Sequence, residues 1–139
     1  MIQHSTIIRV NYSETDQMGY VHHSNYARYY ETARWELFRS IGIPYNHLEK
    51  SGYMLPVVDM SSKFLKPALY DDILTIETHL NLIKGARINF AYRILNAKGE
   101  LINYGETMLA FVKRESQKPC PAPQFVMNAI IEKTTPTSK

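Results

Sequence analysis

One cysteine, Cys120, is the only sulfhydryl in 139 residues, which excludes an intrachain disulfide and a cysteine-based zinc site and fits a reducing compartment. Long apolar runs are also missing. No window approaches the roughly 18 uninterrupted apolar residues of a membrane span. The opening MIQHSTIIRVNY lacks the basic-then-apolar order of a signal peptide. Excess charge of one sign is the third absence. Sixteen Lys+Arg against 13 Asp+Glu leave +3, spread along the chain rather than gathered in a basic tract, which argues against nucleic acid as a partner. Internal repeats and low-complexity tracts are absent as well. These absences leave a cytoplasmic protein of one domain, residues 1–139, whose 45% hydrophobic content is enough for a single core.

What is present is periodicity. Residues 6–12 alternate, with Ile8, Val10 and Tyr12 on one side and Arg9 and Asn11 on the other, as in a half-buried strand. From Ser24 the period becomes helical: Tyr26, Tyr30, Ala33, Leu37 and Ile41 recur on one face, with Ser24 as candidate N-cap and Gly42 followed by Pro44 as the stop. That spacing predicts a helix of about five turns. Residues 45–51 read as a short helical turn. Four strands follow, over 55–66, 73–83, 86–96 and 100–113, with alternation visible in Leu74, Ile76, Leu80 and Leu82 and in Ile88, Phe90, Tyr92 and Ile94. Lys84-Gly85 and Lys98-Gly99 are short enough to be hairpin turns. One strand before the helix and four after it predict an α+β domain in which a curved antiparallel sheet wraps the apolar face of one long helix. The core covers about 6–114. Three prolines begin the tail, residues 119–139, in which 124–133 read as a short helix.

The polar stretch YSETDQMGYVHHSNYARYYETAR, residues 12–34, joins the first strand to the helix. Asp16 therefore precedes a helix N-terminus, where unpaired backbone N–H groups and a partial positive charge favour an oxyanion. Gly19 permits close backbone approach, and the N–H groups of residues 19–23 become candidate donors to a polarised carbonyl. A carboxylate beside such donors has the parts for acyl transfer, by direct attack or by drawing a proton from water. An Asp at that place is equally an ordinary cap or a solvated loop residue. Glu14 is either the second carboxylate of a pair or a solvent-facing strand end. His22 and His23 are adjacent, so at most one faces a site, and the other roles open to both are surface and capping ones. Asp16, His22 and His23 lack a typical metal-ligand spacing, so no metal is expected, and no cofactor. Tyr26, Tyr29 and Tyr30 fall mainly in the core or an interface by period, an aromatic substrate pocket being the lesser reading.

The pattern Y-x-E-T-D-x-M-G-x-V-x-H-x-N-Y over residues 12–26, with FLKPALYDD over 64–72 as a second block, resembles the hotdog-fold acyl-CoA thioesterases, in the branch of the 4-hydroxybenzoyl-CoA and Tol-Pal-associated enzymes. The resemblance spans about residues 6–114. It implies a hotdog fold and hydrolysis of an acyl-CoA to free coenzyme A and a carboxylic acid. Position by position, it makes Asp16 the nucleophile or general base and gives the His23 backbone N–H the thioester carbonyl. It sets Gly19 in the turn that shapes the pocket and Tyr12 and Glu31 along the pocket. It also implies a catalytic role for the His23 ring in one subgroup. Lys84 and Arg87 bracket a hairpin turn where relatives hold the coenzyme A phosphates. The resemblance further implies a homodimer joined sheet edge to sheet edge, each site borrowing residues from the partner, with dimers often pairing into homotetramers. Two other readings stay open: a hydratase or dehydratase acting on acyl thioesters through His23 and an acid, and a module that binds acyl-CoA or an acyl carrier without turnover.

Overall fold

Alternating strands and one amphipathic helix can bury their apolar faces only against each other, and in the computed structural model, which describes residues 2–134, they do so. The Leu82 side chain, to which the alternation above extends, and residues 135–139 of the expected tail lie outside the described residues. In chain order the elements are β1 (Ile2–Arg9), a 3-10 turn (Tyr12–Glu14), α1 (Asn25–Ser40), α2 (Tyr45–Lys50), β2 (Tyr53–Met54), β3 (Val57–Phe64), β4 (Ile73–Lys84), β5 (Arg87–Leu95), β6 (Leu101–Ala110), β7 (Val112–Lys113) and α3 (Gln124–Thr134).

Five strands form one antiparallel sheet in the order β1-β4-β5-β6-β3. The first strand and the next one to enter this sheet therefore lie at opposite edges, and the chain between them has to cross its whole width. The helix α1 begins on the β3 side, where Tyr26 meets Phe64, and reaches β5 at Phe38. Its buried face presents Tyr26, Tyr29, Tyr30, Ala33, Leu37 and Phe38 to the concave face of the sheet, where Leu74, Ile76, Leu80, Ile88, Phe90 and Ile94 are fully buried. Phe38 meets Phe90 edge to face at 5.7 Å, and Tyr30 stacks on Tyr92 at 4.2 Å. The helix ends in a Schellman motif, in which Gly42 N–H donates to Arg39 O and Ile43 N–H to Phe38 O.

Four expectations shift. The first strand runs from Ile2 to Arg9 rather than over 6–12, because pairing with β4 from Ile2↔Leu80 to Arg9↔Ile73 recruits the polar residues ahead of Thr6. Tyr12 leaves the ladder for the 3-10 turn. The last strand is divided at Phe111, and its end, β7, pairs with β2 in a separate two-stranded sheet. Ser24 makes no side-chain capping bond to α1.

On the β3 side of the sheet a polar knot ties helix to strands. The Tyr30 hydroxyl donates to Asn103 Oδ1, Asn103 Nδ2 donates to Ser62 Oγ at 2.9 Å, and Ser62 Oγ lies 2.8 Å from the Tyr30 hydroxyl. The carbonyl can only accept and the amide can only donate, so the Ser62 hydroxyl donates to Tyr30 and the three bonds run in one direction around a closed ring. Burial pushes the Tyr30 phenol up to about 12, against the pull of the Ser62 and Asn103 hydrogen bonds. Tyr30 reaches these partners because Gly105 has no side chain: a Cβ there would sit 2.3 Å from Ser61 O and 2.6 Å from the Tyr30 hydroxyl oxygen. The Gly105→Ala substitution should lower unfolding free energy in a denaturant titration by about 2 to 3 kcal/mol; a loss under about 0.5 kcal/mol would mean that the approach is not tight.

Candidate active site

The acidic stretch lies between β1 and α1, and its conformation is set by a dense set of backbone bonds. Asp16 N–H donates to Tyr20 O at 2.8 Å and Gly19 N–H to Asp16 O at 3.0 Å, closing a tight loop. Gly19 has φ +80°, a left-handed conformation that side chains with a Cβ rarely adopt. Asp16 Oδ1 accepts the N–H groups of Met18 at 2.9 Å and Tyr20 at 3.2 Å, as in an Asx turn. Asp16 Oδ2 has no hydrogen-bond partner among the described residues. The carboxylate is thus held by one oxygen while the other is open.

The neighbouring acid plays a different part. Glu14 is buried, and its Oε1 accepts both Asn11 N–H and the Tyr29 hydroxyl at 2.8 Å. Burial, and then Glu14, push the Tyr29 phenol well above its ordinary value. The Glu14 backbone carbonyl accepts His22 N–H and Asn25 Nδ2, both at 2.9 Å. Of the two openings left by the sequence, neither holds: Glu14 neither pairs with Asp16 nor faces solvent, but fastens the loop to the start of α1.

A cavity of about 350 Å³ opens beside Asp16. One wall is Asp16, Tyr20, Val21, His23 and Tyr26, and the other is the segment Phe64 to Pro67. The walls are joined by Val21 N–H donating to Ala68 O at 2.8 Å and by edge-to-face contact of Tyr26 and Phe64 at 5.1 Å. The FLKPALYDD block therefore forms half of the site, a role the chain pattern did not assign to it, although the block itself was visible as a match.

Of the N–H groups of residues 19–23, most are taken. Gly19 donates to Asp16 O, Tyr20 to Asp16 Oδ1, Val21 to Ala68 O and His22 to Glu14 O. His23 N–H alone among these five has no acceptor among the described residues. The five expected donors reduce to one because the loop uses the rest to hold its own shape. The His23 ring lies 4.2 Å from that of His22.

Other residues expected at the site lie apart from it within one chain. Tyr12 is 75% exposed and packs edge-on against Tyr70 at 5.6 Å. Glu31 is on the solvent side of α1, 3.9 Å from the Arg34 guanidinium. Lys84 and Arg87 pair at the tip of the β4–β5 hairpin. Asp72, which precedes β4, is bonded to Val10 beside the acid loop, so the tip stands at the other end of the 12-residue β4, whose extended length is at most about 37 Å at 3.4 Å per residue. Among the described residues no three His, Cys, Asp or Glu side chains gather as a metal site, and no helix is long and apolar enough to cross a membrane.

Residues 10–130 match the family model of the thioesterase-like superfamily. The chain belongs to that superfamily. It is 32% identical over 120 residues to the acyl-CoA thioester hydrolase YbgC of Escherichia coli, covering 86% of this chain and 90% of that one. The DHNA-CoA thioesterase of Staphylococcus aureus superposes with a TM-score of 0.90 at 32% identity, covering 96% of this chain and 91% of the other. A 1,4-dihydroxy-2-naphthoyl-CoA thioesterase from Synechocystis, at 22% identity and TM-score 0.87 over 96% of this chain and 99% of that one, shares the fold. The chain is accordingly a hotdog-fold thioesterase, in agreement with the resemblance of residues 12–26.

Glu14→Ala should destabilise the protein by about 2 to 3 kcal/mol in denaturant unfolding, because it strands Asn11 N–H and the buried Tyr29 hydroxyl. Glu14→Gln keeps an acceptor oxygen and should cost less than half as much. Equal losses for the two would mean that the charge, not the acceptor, fastens the loop.

Proposed function

We propose that the chain hydrolyses acyl-CoA thioesters, releasing free coenzyme A and a carboxylic acid, with Asp16 as the acting carboxylate and His23 N–H as the oxyanion donor. The observation that carries this reading is the coincidence, on one cavity wall, of the open Asp16 Oδ2 and the single free backbone N–H of the turn. A thioester carbonyl oxygen on His23 N–H, at the positive end of α1, is polarised, and negative charge developing there is stabilised. Asp16 Oδ2 then either takes a proton from a water that attacks the carbonyl carbon, or attacks it directly to form a mixed anhydride that water hydrolyses; in both cases the thiolate of coenzyme A leaves and the acyl group departs as the carboxylic acid. Holding Oδ1 on two N–H groups orients Oδ2 without occupying it. Gly19 supplies the left-handed turn that makes this possible, and the His23 ring, at the cavity, is placed to assist proton movement. The aromatic wall of Tyr26 and Phe64 suits a planar acyl group, and the S. aureus relative, 32% identical, is named for DHNA-CoA.

The working unit in this reading is a homodimer formed through β3, itself able to pair into a homotetramer. β3 is an open edge, and Val57, Val58, Met60 and Phe64 on it are all more than two-fifths exposed, a combination that a second antiparallel β3 would cover. Such pairing about a two-fold axis reverses the partner's sheet, so the far end of one sheet approaches the near end of the other. Lys84 and Arg87, too distant to serve Asp16 of their own chain, then hold coenzyme A phosphates at the partner's site. Tyr12 and Glu31 are likewise assigned to the walls of the assembled pocket.

Asp16→Asn should reduce kcat for thiol release by at least about 100-fold with thermal stability retained. Near-native turnover of that variant across short, long, branched and aromatic acyl-CoAs would eliminate Asp16 as the acting group. Mixing Asp16→Asn protomers with Lys84→Glu/Arg87→Glu protomers should recover activity that neither has alone, since one site of each hybrid then combines an intact Asp16 with intact partner cations. No recovery from hybrids shown to form by native mass spectrometry would place the phosphates elsewhere.

A further inference from the structure

The sequence pattern leaves His22 a surface or capping role, and the structure gives it a specific one. Its ring Nδ1 is 3.2 Å from Ser24 N and 2.8 Å from Ser24 Oγ. A backbone N–H can only donate, so Nδ1 accepts and the imidazole proton is on Nε2. A side-chain acceptor that takes the N–H two residues ahead is the arrangement of an Asx turn, usually built with Asn or Asp. Imidazole Nδ1 is attached to Cγ as the Asn Oδ1 is, and it does the same work here.

That bond bears on the next residue. In the turn from Val21 to Tyr26, Val21 N–H is bound to Ala68 O, His22 to Glu14 O, Asn25 to His22 O and Tyr26 to His23 O. Ser24 N–H is bound to His22 Nδ1. His23 N–H is therefore left over by a complete assignment of its neighbours, and the assignment has one side-chain acceptor in it, the His22 ring. Without Nδ1 the Ser24 amide and hydroxyl both lose their acceptor, and the two peptide units beside His23 keep only the bonds of their carbonyls to Asn25 and Tyr26.

We infer that His22 is a positioning residue that, through ring Nδ1, holds the turn in the conformation presenting His23 N–H to the cavity. This inference rests on the reading of His23 N–H as oxyanion donor. The ring makes a second contact, its 4.2 Å packing on the His23 ring, and two substitutions separate the two. His22→Asn keeps an acceptor at the Nδ1 position and loses the ring. His22→Phe keeps a ring and loses the acceptor.

The experiment compares thiol release from an acyl-CoA by native protein and both variants, with melting temperature and with nitrogen NMR of the native His22 ring. His22→Phe should lose at least about 10-fold in kcat with KM little changed, as expected for misplacement of a donor that acts at the transition state. His22→Asn should retain kcat within about 3-fold. The NMR should show Nδ1 unprotonated and accepting. A proton on Nδ1 overturns the inference even if His22→Phe fails to fold. So does a folded His22→Phe with native kcat, or loss of activity in His22→Asn alone, which would assign the effect to ring packing. Native protein that releases no thiol at all from any acyl-CoA overturns the hydrolase reading, and this inference with it; native turnover with an indifferent His22→Phe overturns this inference only.

Discussion

Everything at the site hangs on the fastening of residues 11–16 to the first turn of α1. The Glu14 carboxylate takes a backbone amide and a buried phenol, while its carbonyl takes the His22 amide and the Asn25 side chain. Four donors from three parts of the chain converge on one residue, and that residue is buried, where each bond is worth most and each omission costs most. With Glu14 fixed, the loop to Tyr20 has almost no freedom left. Its amides close on Asp16, and the acid is left with one bound and one open oxygen.

The sheet contributes what the loop cannot. β1 and β3 are opposite edges, and the chain after β1 brings the acid loop and the N-terminus of α1 beside the segment after β3. The cavity is the gap between two pieces of chain about 45 residues apart in sequence, Asp16 to Tyr26 and Phe64 to Pro67, held together by the bond from Val21 to Ala68. The Tyr30, Ser62 and Asn103 ring keeps β3 seated against the helix near that gap, and Gly105 leaves the room for it. The edge strand β3 stays exposed along nearly its whole length, and along that edge a second chain completes the proposed assembly.

Much of this was legible in the chain. The helix from Asn25 is announced by the 3.6-residue recurrence of Tyr26, Tyr30, Ala33 and Leu37, and β4 and β5 by strict alternation, because both signals come from neighbours in sequence. The acid loop was legible as a pattern: Gly19 N–H closes a turn on Asp16 O, and Asp16 and His23 line one cavity. The polar start of β1 was not legible, since His4 and Ser5 join a strand only because β4 supplies a ladder. Nor was the division of the last strand at Phe111, which answers to a pairing partner remote in sequence, or the loss of Tyr12 from the first strand to a 3-10 turn that Asn11 and Glu14 cap.

The sequence by itself determined the α+β class, the long helix after an acidic turn, and the residue types from which a carboxylate and an oxyanion donor can be drawn. Tertiary structure decided which of them are available. Hydrogen-bond capacity is a fixed inventory, and only the folded chain shows that Glu14, His22 and four of the five turn amides are already engaged while Asp16 Oδ2 and His23 N–H are not. It also decided that Lys84 and Arg87 stand at the far end of the sheet from Asp16, because strand direction and edge order are properties of the whole ladder and no local stretch of chain contains them.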